Sequence, residues 1–456
     1  MSLKIKYWLG WLAIAVVLIL VYWGWQRWSL TIPRSLPQQP GIESSLNGGS
    51  YYEVSTSPIK NDRILAADYR IWIPNGQPVR GLLVKQHGCS DSNDSKGLNH
   101  ANDLQWQALA LKHQFALVGT RLPTEYPMCS NKAIVDRAAE KTFLKAMALL
   151  AQKSGRTELH TVPWIIWGHS GGADWGTQML EDIPHRTIAV INVHSGGIRS
   201  TYGNSEILNL DLDSAIASNL IETPMLWFVG AKDPVKEEAV ELPKKIFYKF
   251  KPTNPLWTLA IGPYTDHGAG NTRFLAIPYV DAIATARLAQ NNEILPVDVT
   301  EGWLGEITTK EVFPISEYQG DFTQTVWLPN RETALKWQQY VTSSKILPLS
   351  KPNAPVNVTV SDISSTNKTI KWDYTPDLEN GLPNFRIYRN NLLIQTLKGQ
   401  AYGYGDVTLS PYPVLEFEDL EASSNAVYTV AAFNQLGENK SLPTKSSHHL
   451  QMDNGQ

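Results

Sequence analysis

Residues 164–179 read Trp-Ile-Ile-Trp-Gly-His-Ser-Gly-Gly-Ala-Asp-Trp-Gly-Thr-Gln-Met. An apolar, strand-like run meets Gly168-His169-Ser170-Gly171-Gly172 and passes directly into a helix-like segment. Gly-x-Ser-x-Gly by itself is a weak signal. The strand–turn–helix setting gives it chemical content, because it is what a nucleophilic serine on a sharp turn requires. A side chain at 168 or 172 would collide across so tight a turn. The turn thrusts the Ser170 hydroxyl above a sheet and leaves the Gly171 amide, at the helix N-terminus, facing the same point. A glycine-rich loop with only a structural role is the plain alternative.

Outward from this stretch the chain alternates. Strand-like "YYEVSTS" (51–57), "ADYRIWIP" (67–74) and "GLLVKQHG" (81–88) come first. Helix-like 101–113 then precedes "FALVGT", 133–153 precedes "VPWIIWG", and 171–181 precedes "RTIAVINVHS". "PMLWFVG", helix-like 235–249, "LWTLAIG" and helix-like 272–290 follow. Apolar strands alternating with amphipathic helices imply an α/β fold, a doubly wound and mostly parallel sheet covered on both faces. Residues 296–330 read as an irregular aromatic extension, and Trp327 to Tyr340 as a closing helix.

A nucleophilic serine needs a base, and the base needs an orienting acid. In this architecture they follow in the order Ser, Asp or Glu, His, each just after a later strand. "PMLWFVGAKDPV" puts Asp233 directly after a strand, and "LWTLAIGPYTDHGAG" puts His267 in the loop after the next. Asp266 is a rival acid, but a sequence neighbour presents its carboxylate poorly to the adjacent ring. His169, inside the turn, packs or lines the pocket. "VHSGG" at 193–197 imitates the motif with His194 and Ser195, yet Val193 stands where a glycine is required, so it reads as the end of the next strand. A second backbone donor for the tetrahedral intermediate should come from the loop after the third strand, "KQHGCSDSN". The Cys89 amide, beside that of Gly171, is the candidate for this oxyanion hole.

With these residues in view, 80–290 resembles the α/β-hydrolase superfamily, and within it the polyhydroxybutyrate depolymerase and feruloyl esterase-like branch. "QHGCS", "HQFALVGTRLPTEYPMC" and "GHSGG" carry the likeness. That branch usually has Ser-Ala-Gly-Gly or Ser-Ser-Gly-Gly where this chain has Ser170-Gly171-Gly172-Ala173. The resemblance implies a disulfide between Cys89 and Cys129, the only two cysteines, which would clamp the oxyanion loop. Two unpaired buried cysteines are the alternative.

After the linker "LPLSKPNAP" the character changes to short alternating strands, "VNVTVSD", "KTIKWDY", "NFRIYRN" and "AVYTVAAFN". These read as an all-β sandwich. Residues 354–447 resemble a fibronectin type III domain, with Trp372, Tyr388, Leu420 and Tyr428 at its core and tyrosine-corner positions. The resemblance implies a spacer or docking module with a possible surface partner.

At the other end, no charged residue interrupts Tyr7 to Trp25, and tryptophans flank the run. Nineteen helical residues span about 28 Å, close to the hydrocarbon thickness of a bilayer. Lys4 and Lys6 precede the run, which predicts an N-terminal transmembrane anchor with a cytoplasmic N-terminus. The catalytic part would then be extracytoplasmic, periplasmic or on the cell surface, and secreted if the segment is cleaved. The expected organisation is therefore anchor 1–30, linker 31–49, hydrolase 50–345, linker 346–353, sandwich 354–448 and tail 449–456.

Hydrophobic residues make up 43% of the 456, and the formal net charge of −3 gives no electrostatic footprint for nucleic acid. The expected activity is a membrane-tethered serine hydrolase acting on carboxylic esters, small or polymeric, with no metal or organic cofactor. A serine peptidase on the same fold and a non-catalytic surface-binding scaffold are the alternatives. Trp106, Trp175, Trp257 and Trp303 form either an aromatic platform for a substrate or part of the core.

Overall fold

The computed structural model describes residues 48–57, 67–88, 96–122, 137–198 and 214–446, the last with breaks at 365, 376, 380–382 and 399–414. The expected anchor at 7–25, the tether up to residue 47, Cys89, Cys129 and the tail lie outside the described residues. Among the described residues no helix is long and apolar enough to cross a membrane.

An eight-stranded sheet organises the larger part of the chain. Its strands are β1 (Gly49–Thr56), β2 (Ala67–Pro74), β3 (Gly81–Gln86), β4 (Phe115–Arg121), β5 (Trp164–His169), β6 (Thr187–Val193), β7 (Met225–Gly230) and β8 (Trp257–Gly262). They lie side by side in the order β1-β2-β4-β3-β5-β6-β7-β8. The pairs β1–β2 and β2–β4 are antiparallel, and β4–β3 through to β7–β8 are parallel. The helices are α1 (Leu104–His113), α2 (Arg137–Ser154), α3 (Gly171–Asp182), α4 (Ala215–Glu222), α5 (Leu242–Phe250), α6 (Arg273–Arg287) and α7 (Arg331–Ser343).

The period-2 geometry of a strand explains why β5 is apolar at nearly every position. Trp164 and Ile166 join one core cluster with Phe143 and Met147 of α2 and Trp175 and Met179 of α3. Ile165 and Trp167 join the other with Trp106 of α1, Ile277 of α6 and Trp337 of α7. Each such fully buried aliphatic or aromatic side chain stabilises by roughly 1.5–3 kcal/mol. Trp106, Trp175 and Trp257 are buried in these clusters and Trp303 packs against one of them, so the four form no substrate platform.

Several boundaries differ from expectation for local reasons. α1 opens at Leu104 rather than at 101, because a 3-10 turn occupies Lys96–Asn102 and Asp103 caps the helix through the amides of Gln105 and Trp106. Trp327 lies on a strand, and the closing helix starts at Arg331 under an Asn330–Thr333 capping box. The irregular extension is a small sheet. β9 (Trp303–Glu306) lies between β10 (Val312–Pro314) and β11 (Thr325–Leu328), and β11 is tied to β8 by the Thr258 hydroxyl donating to the Trp327 carbonyl. Ile346 is buried in the larger core, so that core reaches one residue into the expected linker.

The C-terminal part is two facing sheets. One is β12 (Val356–Asp362), β13 (Lys368–Asp373) and β16 (Glu416–Asp419). The other is β15 (Leu392–Lys398), β14 (Asn384–Arg389), β17 (Val427–Asn434) and β18 (Gly437–Lys440), with β19 (Thr444–Lys445) also on β17. Trp372 and Tyr428 are core residues as expected, and the Tyr428 hydroxyl donates to Asp419 Oδ2 at 2.6 Å. Tyr388 and Leu420 are not. Tyr388 turns its hydroxyl to Glu438, and Leu420 is 62% exposed, because the turn at its position points it to solvent. From the β13–β14 loop, Leu378 packs against the larger core and its carbonyl accepts from Gln105 Nε2 at 3.4 Å.

Candidate active site

Ser170 stands at the turn between β5 and α3 with φ 53° and ψ −125°, a conformation that L-residues rarely adopt. Holding it costs on the order of 1–3 kcal/mol, which the surroundings must supply. Its amide donates to the Val193 carbonyl at 2.8 Å, and its own carbonyl accepts from Ala173 at 2.8 Å. A Cβ at Gly168 would lie 2.2 Å from the Gly172 carbonyl oxygen, and one at Gly172 would lie 2.4 Å from that of His87. Only glycine closes this turn. A serine at a helix N-cap ordinarily spends its hydroxyl on the first amides. Ser170 makes no such bond, and its Oγ lies 3.1 Å from Nε2 of His267.

His267 follows β8 and Asp233 follows β7, as their strand positions predict. The two loops are laced together, Ala231 N–H donating to Gly262 and Lys232 N–H to Thr265. His267 Nδ1 lies 2.7 Å from Asp233 Oδ2. A carboxylate accepts, so Nδ1 carries the proton and Nε2 presents its lone pair to the serine hydroxyl; the tautomer is assigned from this network. The other carboxylate oxygen, Oδ1, accepts from Val235 N–H at 2.8 Å. Burial alone would raise the Asp233 carboxyl. Contacts with His194, the Val235 amide and His267 outweigh it and hold the group below the ordinary carboxylate range. Asp266, the rival acid, accepts instead from Gly268 N–H at 2.9 Å.

Ser170, Asp233 and His267, from the loops after β5, β7 and β8, are thus brought into one hydrogen-bonded line. Gly171 opens α3, in the first turn where helix amides lack intrahelical acceptors. Cys89 lies outside the described residues, but its neighbour Gly88 runs beside the serine: a Cβ there would sit 3.1 Å from Ser170 Cβ. His87 ties that loop to the end of β4, its Nε2 accepting from Leu122 N–H at 2.8 Å.

The sequence reading puts His194 only at the end of its strand, near the site at best, and misses Asp174. His194 is fully buried, with Nδ1 3.1 Å from Asp233 Oδ2, near but not aligned as a hydrogen bond, and Nε2 3.0 Å from the Gly268 carbonyl. Asp174 accepts at Oδ1 from Ser195 Oγ and from the amides of Gly196 and Gly197. Val193 ends β6, as the sequence reading expects, and His194–Gly197 form the loop that follows, held against the first turn of α3. The signal available in the sequence was its position just after a parallel strand, the same place that marks Asp233 and His267. His169 is buried and its Nε2 lies 2.8 Å from the His267 carbonyl.

His194, Asp233 and His267 bring three potential ligand atoms within 4.8 Å of one another. The 2.7 Å between His267 Nδ1 and Asp233 Oδ2 is the spacing of a proton, shorter than the roughly 3.4 Å separating ligands around a tetrahedral zinc with bonds near 2.1 Å. The donor set fits a proton relay better than a metal. A cavity of about 550 Å³, lined by Arg186, Glu222 and Arg287 among others, lies where the strands begin, away from this constellation at their C-terminal ends.

Deeper in the sheet, Lys85 of β3 lies between the rings of Trp106 and Trp167, at 4.7 and 4.6 Å. Its ammonium is 3.8 Å from Asp103 Oδ2, which pairs with Arg273 at 2.7 Å. This buried pairing joins β3, which leads into the His87-Gly88 stretch beside Ser170, to the first turn of α6, which follows the His267 loop.

No family model matches the chain, and no curated relative matches it. Among solved structures it is similar to a PEG-bound cold-adapted esterase from an Arctic intertidal metagenomic library, at 13% identity and TM-score 0.37 over 52% of this chain and 95% of that one. It is also similar to a ferulic acid esterase, at 11% identity and TM-score 0.38 over 52% and 98%. An S-formylglutathione hydrolase from Staphylococcus aureus aligns at 15% identity and TM-score 0.32 over 52% and 96%. A likeness of this size does not carry activity or substrate over to this chain.

Proposed function

We propose that the chain is a serine hydrolase of the α/β-hydrolase type that cleaves carboxylic esters. The observation that carries this reading is the Ser170 Oγ–His267 Nε2 distance of 3.1 Å on a turn whose backbone is strained to present that hydroxyl. Ser170 Oγ attacks the ester carbonyl carbon as His267 Nε2 takes its proton. The tetrahedral oxyanion is held by the Gly171 and Cys89 amides, each such donor contributing about 3 kcal/mol. Collapse expels the alcohol, which leaves with the proton from His267. Water then attacks the acyl-enzyme with His267 as base, and Ser170 regains its proton as the acid departs. Asp233 keeps the imidazole in the reactive tautomer.

The two facing sheets, one of three strands and one of four with the two-residue β19 added on β17, support the fibronectin type III reading. Tethering through residues 7–25 with an extracytoplasmic catalytic part, and pairing of Cys89 with Cys129, rest on the sequence. The test is fluorophosphonate labelling of wild type and Ser170→Ala, with p-nitrophenyl acetate turnover measured in parallel. Labelling and turnover confined to wild type support the reading. Equal labelling of both proteins, or none of either, ends it.

A further inference from the structure

We infer that His194 is a positioning residue for the acid of this site: it holds the Asp233 carboxylate from a second loop, beside the catalytic ring, and pins the loop that carries His267. The inference rests on the triad reading above.

Asp233 Oδ2 is flanked by two imidazoles from two different loops. His267 Nδ1 stands at 2.7 Å and His194 Nδ1 at 3.1 Å. The second ring does more than fill space. Its Nε2 lies 3.0 Å from the Gly268 carbonyl, the residue directly after the catalytic base. Carbonyls only accept, so that nitrogen donates, and Nδ1 donates to Asp233 as well only in the doubly protonated ring, as an imidazolium paired with the carboxylate. One side chain from the end of β6 thereby touches both the acid after β7 and the loop after β8. Catalytic contacts are often long and poorly aligned in free enzymes and tighten with substrate bound. His194 Nδ1, near Asp233 Oδ2 but out of line with it, stands where such a contact would form.

The chain also spends structure on placing this ring. His194 adopts φ 57°, unusual for a residue other than glycine or asparagine. Its amide donates to the Phe228 carbonyl at 3.0 Å, and the next three residues are held by the single buried oxygen Asp174 Oδ1. The groups facing the ring are Asp233, His267 and the Gly268 carbonyl from the β7 and β8 loops, and His169 from the end of β5, with ring centroids 5.5 Å (His267) and 5.9 Å (His169) away.

The experiment compares His194→Leu, which has no donor, with His194→Asn, whose amide falls where Nδ1 stands and which tolerates a positive φ. Kinetics are read on p-nitrophenyl acetate against pH, with thermal melts to verify folding. Leucine should lower kcat roughly 10- to 100-fold, the cost of misplacing a catalytic group by about 1 Å, with KM changed less than about twofold. Freed from one of two partners, the carboxylate puts more negative charge on His267. The acid limb of kcat/KM should therefore move to higher pH by about half a unit to one unit. Asparagine, which supplies a donor but no charge, should recover most of kcat and return the limb part of the way. Should leucine fail to fold, His194→Gly, which the backbone accepts, takes its place with the same expectation. A folded leucine or glycine variant with wild-type kcat and an unmoved acid limb overturns the inference. So does an asparagine variant as impaired as leucine. If wild type itself takes no fluorophosphonate label, the triad reading fails first, a distinguishable result.

Discussion

The hydroxyl of Ser195 donates to Oδ1 of Asp174 at 2.6 Å, and the amides of Gly196 and Gly197 reach the same oxygen at 2.9 and 2.8 Å. Asp174 lies four residues beyond Ser170, in the first turn of α3, where a negative charge also meets the positive end of the helix dipole. One buried carboxylate thus joins the turn carrying Ser170 to the loop carrying His194. Asp174→Ala strands three buried donors, each worth about 1–3 kcal/mol when left unpaired. Partial solvation of the loop will recover some of this. Urea denaturation should report a loss of about 2–5 kcal/mol, and ester turnover should fall with it. An unchanged midpoint would show that the loop is held by other means.

Asp233→Asn should retain the fold and lose activity. The amide can donate where the carboxylate accepted, which favours the wrong imidazole tautomer and lowers kcat on the order of 10³- to 10⁴-fold, as in other triads. The substitution also carries a stability signature. The carboxyl of Asp233 lies below its ordinary range, despite burial, through His194, the Val235 amide and His267. A depressed acid pKa adds stability that is fully present above the unfolded-state pKa and is lost as pH falls through the folded-state value. Wild type should lose melting temperature more steeply below about pH 4 than Asp233→Asn does. Parallel melting curves across that window would contradict the assignment.

The Lys85–Asp103–Arg273 cluster separates two kinds of buried charge. Asp103 is the acceptor for Arg273 at 2.7 Å, lies 3.8 Å from Lys85 and caps α1. Removing it leaves two cations without their carboxylate, a loss that typically costs about 3–5 kcal/mol. Lys85 is the third member, its ammonium already against two indole rings. Lys85→Met retains the Asp103–Arg273 pair and fills similar volume, so chemical denaturation should place it within about 1 kcal/mol of wild type. Asp103→Ala should be far the weaker protein. Comparable losses for both would mean that the lysine, not the arginine, is the essential partner.

What could be read in the sequence was what depends on local pattern. β5 is apolar at successive positions because both of its faces are covered, and glycines 168 and 172 flag a turn that no other residue closes. Asp233 and His267 were legible because a parallel sheet places the end of each strand at one edge, so position after a strand stands in for position in space. His194 obeys the same rule and was set aside only because Val193 breaks the local motif. Its partners are a carboxylate 39 positions away and a carbonyl 74 positions away, a relation that no motif encodes. Lys85 follows the apolar run Leu82–Val84 of its strand and gives no sign that two tryptophans enclose it. The small sheet at Trp303–Leu328 was hidden by brevity, since strands of three or four residues are too short to display a period.

Lys251 offers a test of burial on its own. The side chain is 3% exposed after α5, and its ammonium makes no hydrogen bond. Burial depresses its pKa from 10.5 to about 8, with Asp321 opposing only in part. A lowered base pKa means that the folded state resists the proton which the unfolded state accepts, so the charge destabilises the fold. The drop from 10.5 to about 8 corresponds to roughly 3 kcal/mol, fully felt below pH 8. The penalty shrinks as pH rises from about 8 and is gone above about 10.5, where the unfolded chain is neutral as well. Lys251→Met removes the charge and retains the packed stem. At pH 7 it should unfold at higher urea concentration, with a gain of about 1–3 kcal/mol, and the gain should fade in measurements repeated at pH 9 and 10. A variant no more stable at pH 7 would mean that the ammonium reaches water in solution, and an advantage undiminished at pH 10 would mean that packing, not the buried charge, produces it.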